Sequence, residues 1–337
     1  MTDQKNRGDS AVPVQSLANH SRSAPSLRGS RVLVTGAGGF LGSAIVRRAL
    51  IEGADVVATV RPGGDVRRLS SVERDCRIAS IDLTDVVRLT ELVRYEQPQV
   101  VVHAAAARAA AAHAWGASER AVAWRDNLTA TLTLLEALVH VPETVLVHVG
   151  SSSEYGPSDA PMVEDQPGQP ITLRGATKLA AAIAVRQWAA ERVRSVAVVR
   201  PFSIYGPGEH PTKLIPTLLR CAANGTEFSS IPVISRRDLV YVEDVADGCL
   251  RAVAEASHHA PVINLGTGVE HTVDEVVAAV ERATGRSIRA LPGARAVQAY
   301  DMPHWVADTT RCRQMLGWVP PTSLAEGLRL LVTGPVP

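Results

Sequence analysis

Apolar and polar positions divide the chain into three zones. Up to residue 29, Ser, Arg, Asn and Gln predominate and no apolar period is sustained, which predicts a disordered tail. From Arg31, short apolar runs alternate with helical patterns. Arg31–Thr35 (RVLVT), Asp55–Val60 (DVVATV), Arg77–Ile81, Gln99–Val102, Thr144–Val149 and Ser195–Arg200 (SVAVVR) read as strands. Between them, Ala44, Ile45, Ala49 and Leu50 recur at helical spacing. Val87–Tyr95 and Leu179–Glu191 read as helices, and an Ala-rich helical region runs to Leu138. The strands are continuous Val runs, as expected where both faces of a parallel sheet are covered. This alternation predicts an α/β fold with a doubly wound parallel sheet over residues 30–200. Beyond Pro201 the pattern loosens, with Pro207, Pro211, Pro216 and Pro232 set among Gly206, Gly208 and Gly225. Thr272 and Glu275 have capping-box spacing before a helix at Val276–Ala283, which Gly285 stops. Residues 201–337 thus read as a small α/β lobe interleaved with the sheet.

Composition narrows the function. A chain of 337 residues is long enough for about two domains. Lys plus Arg is 35 and Asp plus Glu is 34, a balance that points away from nucleic acid. No apolar run approaches the roughly 18 residues of a membrane span. Cys76, Cys221, Cys249 and Cys312 are far apart in sequence, so neither a zinc ribbon nor a CxxC pair is expected. His258-His259 has no third ligand in view, and no metal is expected. The polar start of the chain lacks a signal-peptide core, and the expected compartment is the cytoplasm.

The first strand runs directly into Thr35-Gly36-Ala37-Gly38-Gly39-Phe40-Leu41-Gly42, and a helix opens there. Glycines at 36, 39 and 42 allow a tight turn and a close approach of backbone to a pyrophosphate. The free N–H groups of the helix start then face its charge. Strand, turn and helix are the context that a dinucleotide-binding motif requires. Val60 ends the second strand where an acid would hold the ribose of NAD. Arg61 follows it, suited to a 2′-phosphate, so NADP is favoured slightly over NAD. Arg67 and Arg68 are further candidates, with solvated surface as their default. Asp82-Leu83 closes the third strand near the expected adenine, unless Asp82 is a helix N-cap.

Several motifs together resemble the extended short-chain dehydrogenase/reductase family, in its nucleotide-sugar epimerase/dehydratase branch. TGAGGFLG (35–42) resembles its cofactor turn, and VVHAAA (101–106) the stretch beside the nicotinamide. Asn127 resembles its helix asparagine, and RPFSIYGPGE (200–209) the passage into its substrate lobe. RRDLVYVEDVA (236–246), INLGTG (263–268) and LGWVPPTSLAEGL (316–328) also match. The resemblance implies a Rossmann-type sheet with a C-terminal substrate lobe, a homodimer and a nucleotide-sugar substrate. It also implies reversible oxidation of a sugar carbon, usually C4. It assigns Gly36, Gly39, Phe40, Leu41, Arg61, Asp82, Leu83, Ala104, Ala105, Ala106, Asn127, Lys178 and Pro201 to the cofactor. Ser152, Ser153, Ser203, Lys213, Leu214 and Arg237 fall to the substrate, with Arg237 on its diphosphate. His210 lies in the same loop as Lys213.

The family places a Ser or Thr after a strand, then Tyr and Lys spaced YxxxK. Residues four apart share a helix face, so the ammonium lowers the phenol pKa and the phenolate takes the hydroxyl proton. In this chain Ser152 takes the hydroxyl place, with Ser151 as the alternative, and Lys178 is the lysine. Arg174 stands where the tyrosine is expected. A guanidinium, with a pKa above about 12, only donates. Arg174 is therefore expected to stabilise an alkoxide while Glu154, Tyr155, Lys178 or a water moves the proton. Loss of catalysis is the other reading. Gln298 occupies the region of a second family arginine, and Arg295 is a possible substitute. A C4 epimerase is the leading expectation. A 4-ketoreductase or 4,6-dehydratase and a silent nucleotide-binding subunit are the alternatives. His103, at a strand end, is expected to be a satisfied core histidine.

Overall fold

The structure, a computed structural model, describes residues 26–107, 116–229, 235–291 and 302–334. The chain runs β1 (Arg31–Thr35), α1 (Phe40–Ile51), β2 (Asp55–Val60), β3 (Arg77–Ser80), α2 (Val86–Glu96) and β4 (Val100–His103). Next come α3 (Ala117–Trp124), a π-helical turn (Arg125–Thr129), α4 (Ala130–Ala137), β5 (Val145–Val149), α5 (Leu173–Arg192) and β6 (Val196–Pro201). The lobe opens with β7 (Ser203–Tyr205), α6 (Leu214–Asn224), β8 (Phe228–Ser229), β9 (Arg236–Tyr241) and α7 (Val242–Arg251). It closes with β10 (Val262–Leu265), β11 (Glu270–Thr272), α8 (Val273–Thr284), β12 (Ala290–Leu291), α9 (Thr310–Leu316) and α10 (Leu324–Thr333).

Seven parallel strands form the central sheet in the order β10-β6-β5-β4-β1-β2-β3. The continuous Val runs follow from its two coverings. Val32, Val34, Val56 and Ala58 pack with Ala44 and Ile45 of α1 and Val245 of α7. Their neighbours Leu33, Val57, Val101 and Val198 face the other way, against Leu89 of α2, Leu134 of α4 and Val185 of α5. Each side chain so buried contributes about 1.5–3 kcal/mol. The expected interleaving is present, since β10 comes from the C-terminal third yet completes the large sheet beside β6. In the lobe, β9 pairs with β7 and β11. Ile215, Leu218, Phe228, Val276, Val280 and Leu328 fill its separate core.

Two boundaries differ from the sequence reading. Helix α5 starts at Leu173, because the Thr172 hydroxyl accepts the Gly175 N–H and caps it. Arg174 and Lys178 therefore share one continuous helix. The packed chain also begins before Arg31. Leu27, placed in the expected tail, is buried in the main core, and Gly29 N–H donates to the Gly53 carbonyl. Leu27→Ala should cost about 2–3 kcal/mol in a denaturant titration. An unchanged midpoint would show that this first contact is incidental.

Candidate active site

Parallel strands deliver their following loops to one edge of the sheet, and the glycine turn lies there. Gly36 takes φ +67°, and a Cβ on it would lie 2.6 Å from Ala105 Cα. A Cβ on Gly42 would collide with the Gly36 carbonyl oxygen. The turn thus closes tightly against the segment that follows β4. Gly39 is the N-cap of α1, and no side chain caps that helix. The N–H groups of Phe40 and Leu41 are left for an anion, as a dinucleotide pyrophosphate requires, so the residues present fit that group.

An adenosine-sized cleft adjoins the turn, lined by Gly36, Val60, Arg61, Asp82, Leu83, Ala105, Ala106 and Asp126. Ala104, half-buried, packs one side against the core. Arg61 reaches the cleft, but its guanidinium bonds Asp126 Oδ2 at 2.6 Å. Asp82 accepts from Thr84 N–H at 3.0 Å and pairs with Arg125. These contacts, the Thr84 N–H first, hold its carboxyl below the ordinary range despite the cost of burial. The N-cap of α2 is Asp85, whose carboxylate accepts from Arg88 N–H. Arg67 pairs with Asp65 at the surface, while Arg68 donates to the Gly208 carbonyl at 2.9 Å. Asn127 is buried and doubly committed. Its Oδ1 accepts from Ala107 N–H and its Nδ2 donates to Thr177 Oγ1, both at 2.8 Å. It fixes the post-β4 segment against α5. The π-helical turn aims Asp126 and Asn127 inward together.

The expected proton carrier Glu154 is engaged within the protein. It is fully buried, with Oε1 accepting the Ser151 N–H and Oε2 the Arg200 Nε–H, each at 2.8 Å. No cleft-facing oxygen remains. Burial pushes the Glu154 carboxyl up; burial also works against the Arg200 charge, yet Glu154 prevails and raises its pKa. The two directions oppose each other. The pair is best described as ionised, because the guanidinium keeps its proton and Ser151 N–H also supports the carboxylate. Arg200 lies over the Tyr155 ring at 4.4 Å, and Tyr155 O–H donates to Asn264 Oδ1 at 2.6 Å. That phenol, pushed up to about 12 mainly by burial, is a strut between strand ends. His103 bonds Thr35 Oγ1 at 2.7 Å and Thr131 Oγ1 at 3.0 Å, as expected for a satisfied core residue.

Lys178 is buried, its Nζ donating to the Val149 carbonyl at 2.9 Å and the Ala105 carbonyl at 3.4 Å. Burial first and Arg174 second lower its pKa to about 7, against an opposing effect of Glu154. Arg174 has an exposed surface although protein atoms crowd its guanidinium. The crowding lowers its pKa, but the open side keeps it charged at neutral pH. Its guanidinium makes no hydrogen bond or ion pair among the described residues.

On the lobe side, Arg237 lies over the Trp305 ring at 5.3 Å. Trp305 Nε1–H donates to Ser152 Oγ at 2.9 Å, while Ser153 Oγ–H donates to Ser151 Oγ at 2.8 Å. Trp305 was not legible as a site residue, because no motif spacing marks it. Asp238, also missed, accepts from the N–H groups of Thr267, Gly268 and Ala307 and anchors the strand end that carries Arg237. Pro201 is buried at the end of β6, and Ser203 is half-buried on β7. Lys213 is the exposed N-cap residue of α6, beside half-buried Leu214, and His210 bonds Thr212. Arg295 and Gln298 lie outside the described residues. Among the described residues no cluster suited to a metal is found, and the His258 and His259 rings stack at 3.9 Å.

Residues 32–266 match the family model described as NAD dependent epimerase/dehydratase family. The chain belongs to this family. It is 30% identical over 308 residues to a UDP-glucose 4-epimerase of Corynebacterium glutamicum, covering 86% of this chain and 91% of that protein. It is 30% identical over 324 residues to a dTDP-6-deoxy-L-talose 4-dehydrogenase (NAD(P)(+)) of Kitasatospora kifunensis, covering 92% and 97%. Among solved structures, MoeE5 in complex with UDP-glucose and NAD superposes with a TM-score of 0.77 at 30% identity, covering 88% and 96%. The protein is an enzyme of the nucleotide-sugar epimerase/dehydratase type. No helix among the described residues is long and apolar enough to cross a membrane.

Breaking the buried pair should be costly. Glu154→Gln leaves Arg200 charged and unanswered, and stability should fall by about 3–5 kcal/mol in a denaturant titration. A much smaller loss would show that Arg200 finds another anion.

Proposed function

We propose that the protein interconverts a nucleotide-linked sugar and its C4 epimer through a transient 4-keto sugar, with NAD as resident cofactor. The observation that carries this reading is the placing of two basic side chains, Lys178 and Arg174, on one face of α5. Lys178 is tied to Ala105, and Ala105 also lines the dinucleotide cleft. When bound, the dinucleotide supplies the acceptor and donor of hydride. The chain's own residues bind and orient. The start of α1 takes the pyrophosphate, and Arg237 stands across from it for the sugar-nucleotide diphosphate. Arg174 is left to stabilise negative charge on the reacting oxygen. NAD is favoured over NADP because the Asp126 carboxylate, in the same cleft, already occupies Arg61. A 2′-phosphate would have to share that guanidinium with the carboxylate and meet its negative charge. MoeE5 carries NAD, which supports the same choice. Dehydration is disfavoured, since Glu154 has no oxygen to spare. The Kitasatospora relative keeps a 4-ketoreductase as the second reading.

The test is direct. Denaturing the purified protein and identifying the released small molecules by mass spectrometry should show NAD. NMR of the loaded protein with UDP-, GDP- and dTDP-sugars should show one pair of C4 epimers interconverting without net consumption of dinucleotide. Stoichiometric use of NADPH with a 4-keto sugar would establish the reductase instead, and no turnover would leave a silent binding subunit. Gly39→Asp sets a carboxylate against the pyrophosphate and should abolish both dinucleotide retention and activity. Retention by that variant would sink the assignment of the turn.

A homodimer is also proposed. Val122 and Trp124 on α3, Leu132 on α4 and Ile183 on α5 are all exposed apolar residues on this helical layer. Light scattering should give twice the chain mass, and Ile183→Glu should halve it. A monomeric wild type would refute the interface. The four cysteines are unpaired, which fits the reducing cytoplasm proposed for the chain.

A further inference from the structure

We propose that Lys178 itself carries the proton of the reacting sugar hydroxyl, with Arg174 holding the oxygen that loses it. The inference rests on the redox reading above and names the group that does the work of the absent phenol.

The other acid and phenol candidates are committed. Both Glu154 oxygens are engaged and fully buried, and the Tyr155 hydroxyl is bonded to Asn264. Ser151 and Ser153 bond each other, and a serine hydroxyl gains no base from such a pairing. Arg174 has no proton to exchange at neutral pH. Lys178 remains. A tetrahedral ammonium has three donors, and the described residues offer Nζ two acceptors, the carbonyls of Val149 and Ala105. The neutral amine matches that environment: two N–H groups meet two carbonyls, and the third position is a lone pair. The protonated form leaves its third N–H without an acceptor among the described residues, so protonation is useful only when a substrate oxygen is there to receive it.

The charges around Lys178 favour the neutral form. Arg174 faces it from one turn earlier on α5, and Glu154 from the turn after β5. Glu154 is answered by Arg200, whereas Arg174 is answered by nothing described. His103 and His148, from β4 and β5, are buried and kept neutral, chiefly by burial and further by Lys178. Burial first and the Arg174 charge second lower the Nζ pKa to about 7 against the opposing effect of Glu154, the range in which a general base works best at neutral pH.

The step balances. The O–H bond of the sugar hydroxyl breaks, and its proton bonds to the Nζ lone pair, giving the ammonium. Hydride leaves the same carbon for the oxidised dinucleotide, so the carbon loses two electrons and the dinucleotide gains them. Return of hydride to the other face of the ketone reverses the transfer, and the ammonium gives its proton back.

The chain has only three lysines, Lys5, Lys178 and Lys213, so lysine-selective carbon-13 labelling gives a spectrum simple enough to assign. In the dinucleotide-loaded protein, the Cε signal missing from Lys178→Met should titrate near pH 7. Arg174→Gln should move that midpoint upward, toward the ordinary lysine value of about 10.4. The acid limb of kcat/KM for epimerisation should coincide with the titration and move with it. The variant should therefore lose activity most steeply at low pH, on top of a pH-independent loss from the missing donor to the reacting oxygen. Wild-type turnover with Lys178 titrating in the ordinary range would overturn this proposal alone. So would an acid limb that stays in place while the titration moves. Absence of turnover with every nucleotide sugar tried would overturn the redox reading and this proposal together.

Discussion

The site depends on one buried ion pair, Glu154 with Arg200. It joins the turn after β5 to β6, and Arg200 carries Tyr155, which reaches across to Asn264 of β10. Three strand ends are thereby held in one arrangement. A charge pair in such a place adds little net stability compared with an apolar substitute, but losing one partner is expensive. Its larger consequence is electrostatic. Because Glu154 bonds Arg200, Arg174 and Lys178 are left with no carboxylate hydrogen-bonded to them among the described residues. The corner is left suited to holding an oxyanion.

The second constraint is steric. Gly36 and Gly42 let β1, α1 and the post-β4 segment approach closer than any side chain permits. Ala105 stands at that approach, touching the dinucleotide cleft on one side and taking a hydrogen bond from Lys178 on the other. Asn127, from the π-helical turn, bonds both Ala107 and α5 and keeps the same segment in register with Lys178. Cofactor cradle and proton-carrying corner are thus two sides of one stretch of backbone.

Much of this was legible beforehand because it is periodic or local. Val runs report a sheet covered on both faces, and the glycine turn reports a strand meeting a helix. Lys178 and Arg174, four apart, had to share a helix face. The miscast residues were polar groups whose partners are remote in sequence. Glu154 read as a base because its spacing resembles one, but Arg200 lies 46 positions away. Asn127 read as a cofactor contact, and its partner Thr177 is 50 positions away. Arg61 read as a phosphate site, and its partner Asp126 lies 65 positions away.

By itself, then, the sequence determined the sheet, the cradle, the family and the presence of an arginine where a phenol is expected, since each follows from local spacing and side-chain chemistry. Only the tertiary structure decided which charges are spent and which are left. A hydrogen-bond donor or carboxylate has a capacity that one partner can exhaust, and that partner is chosen by folding across the whole chain.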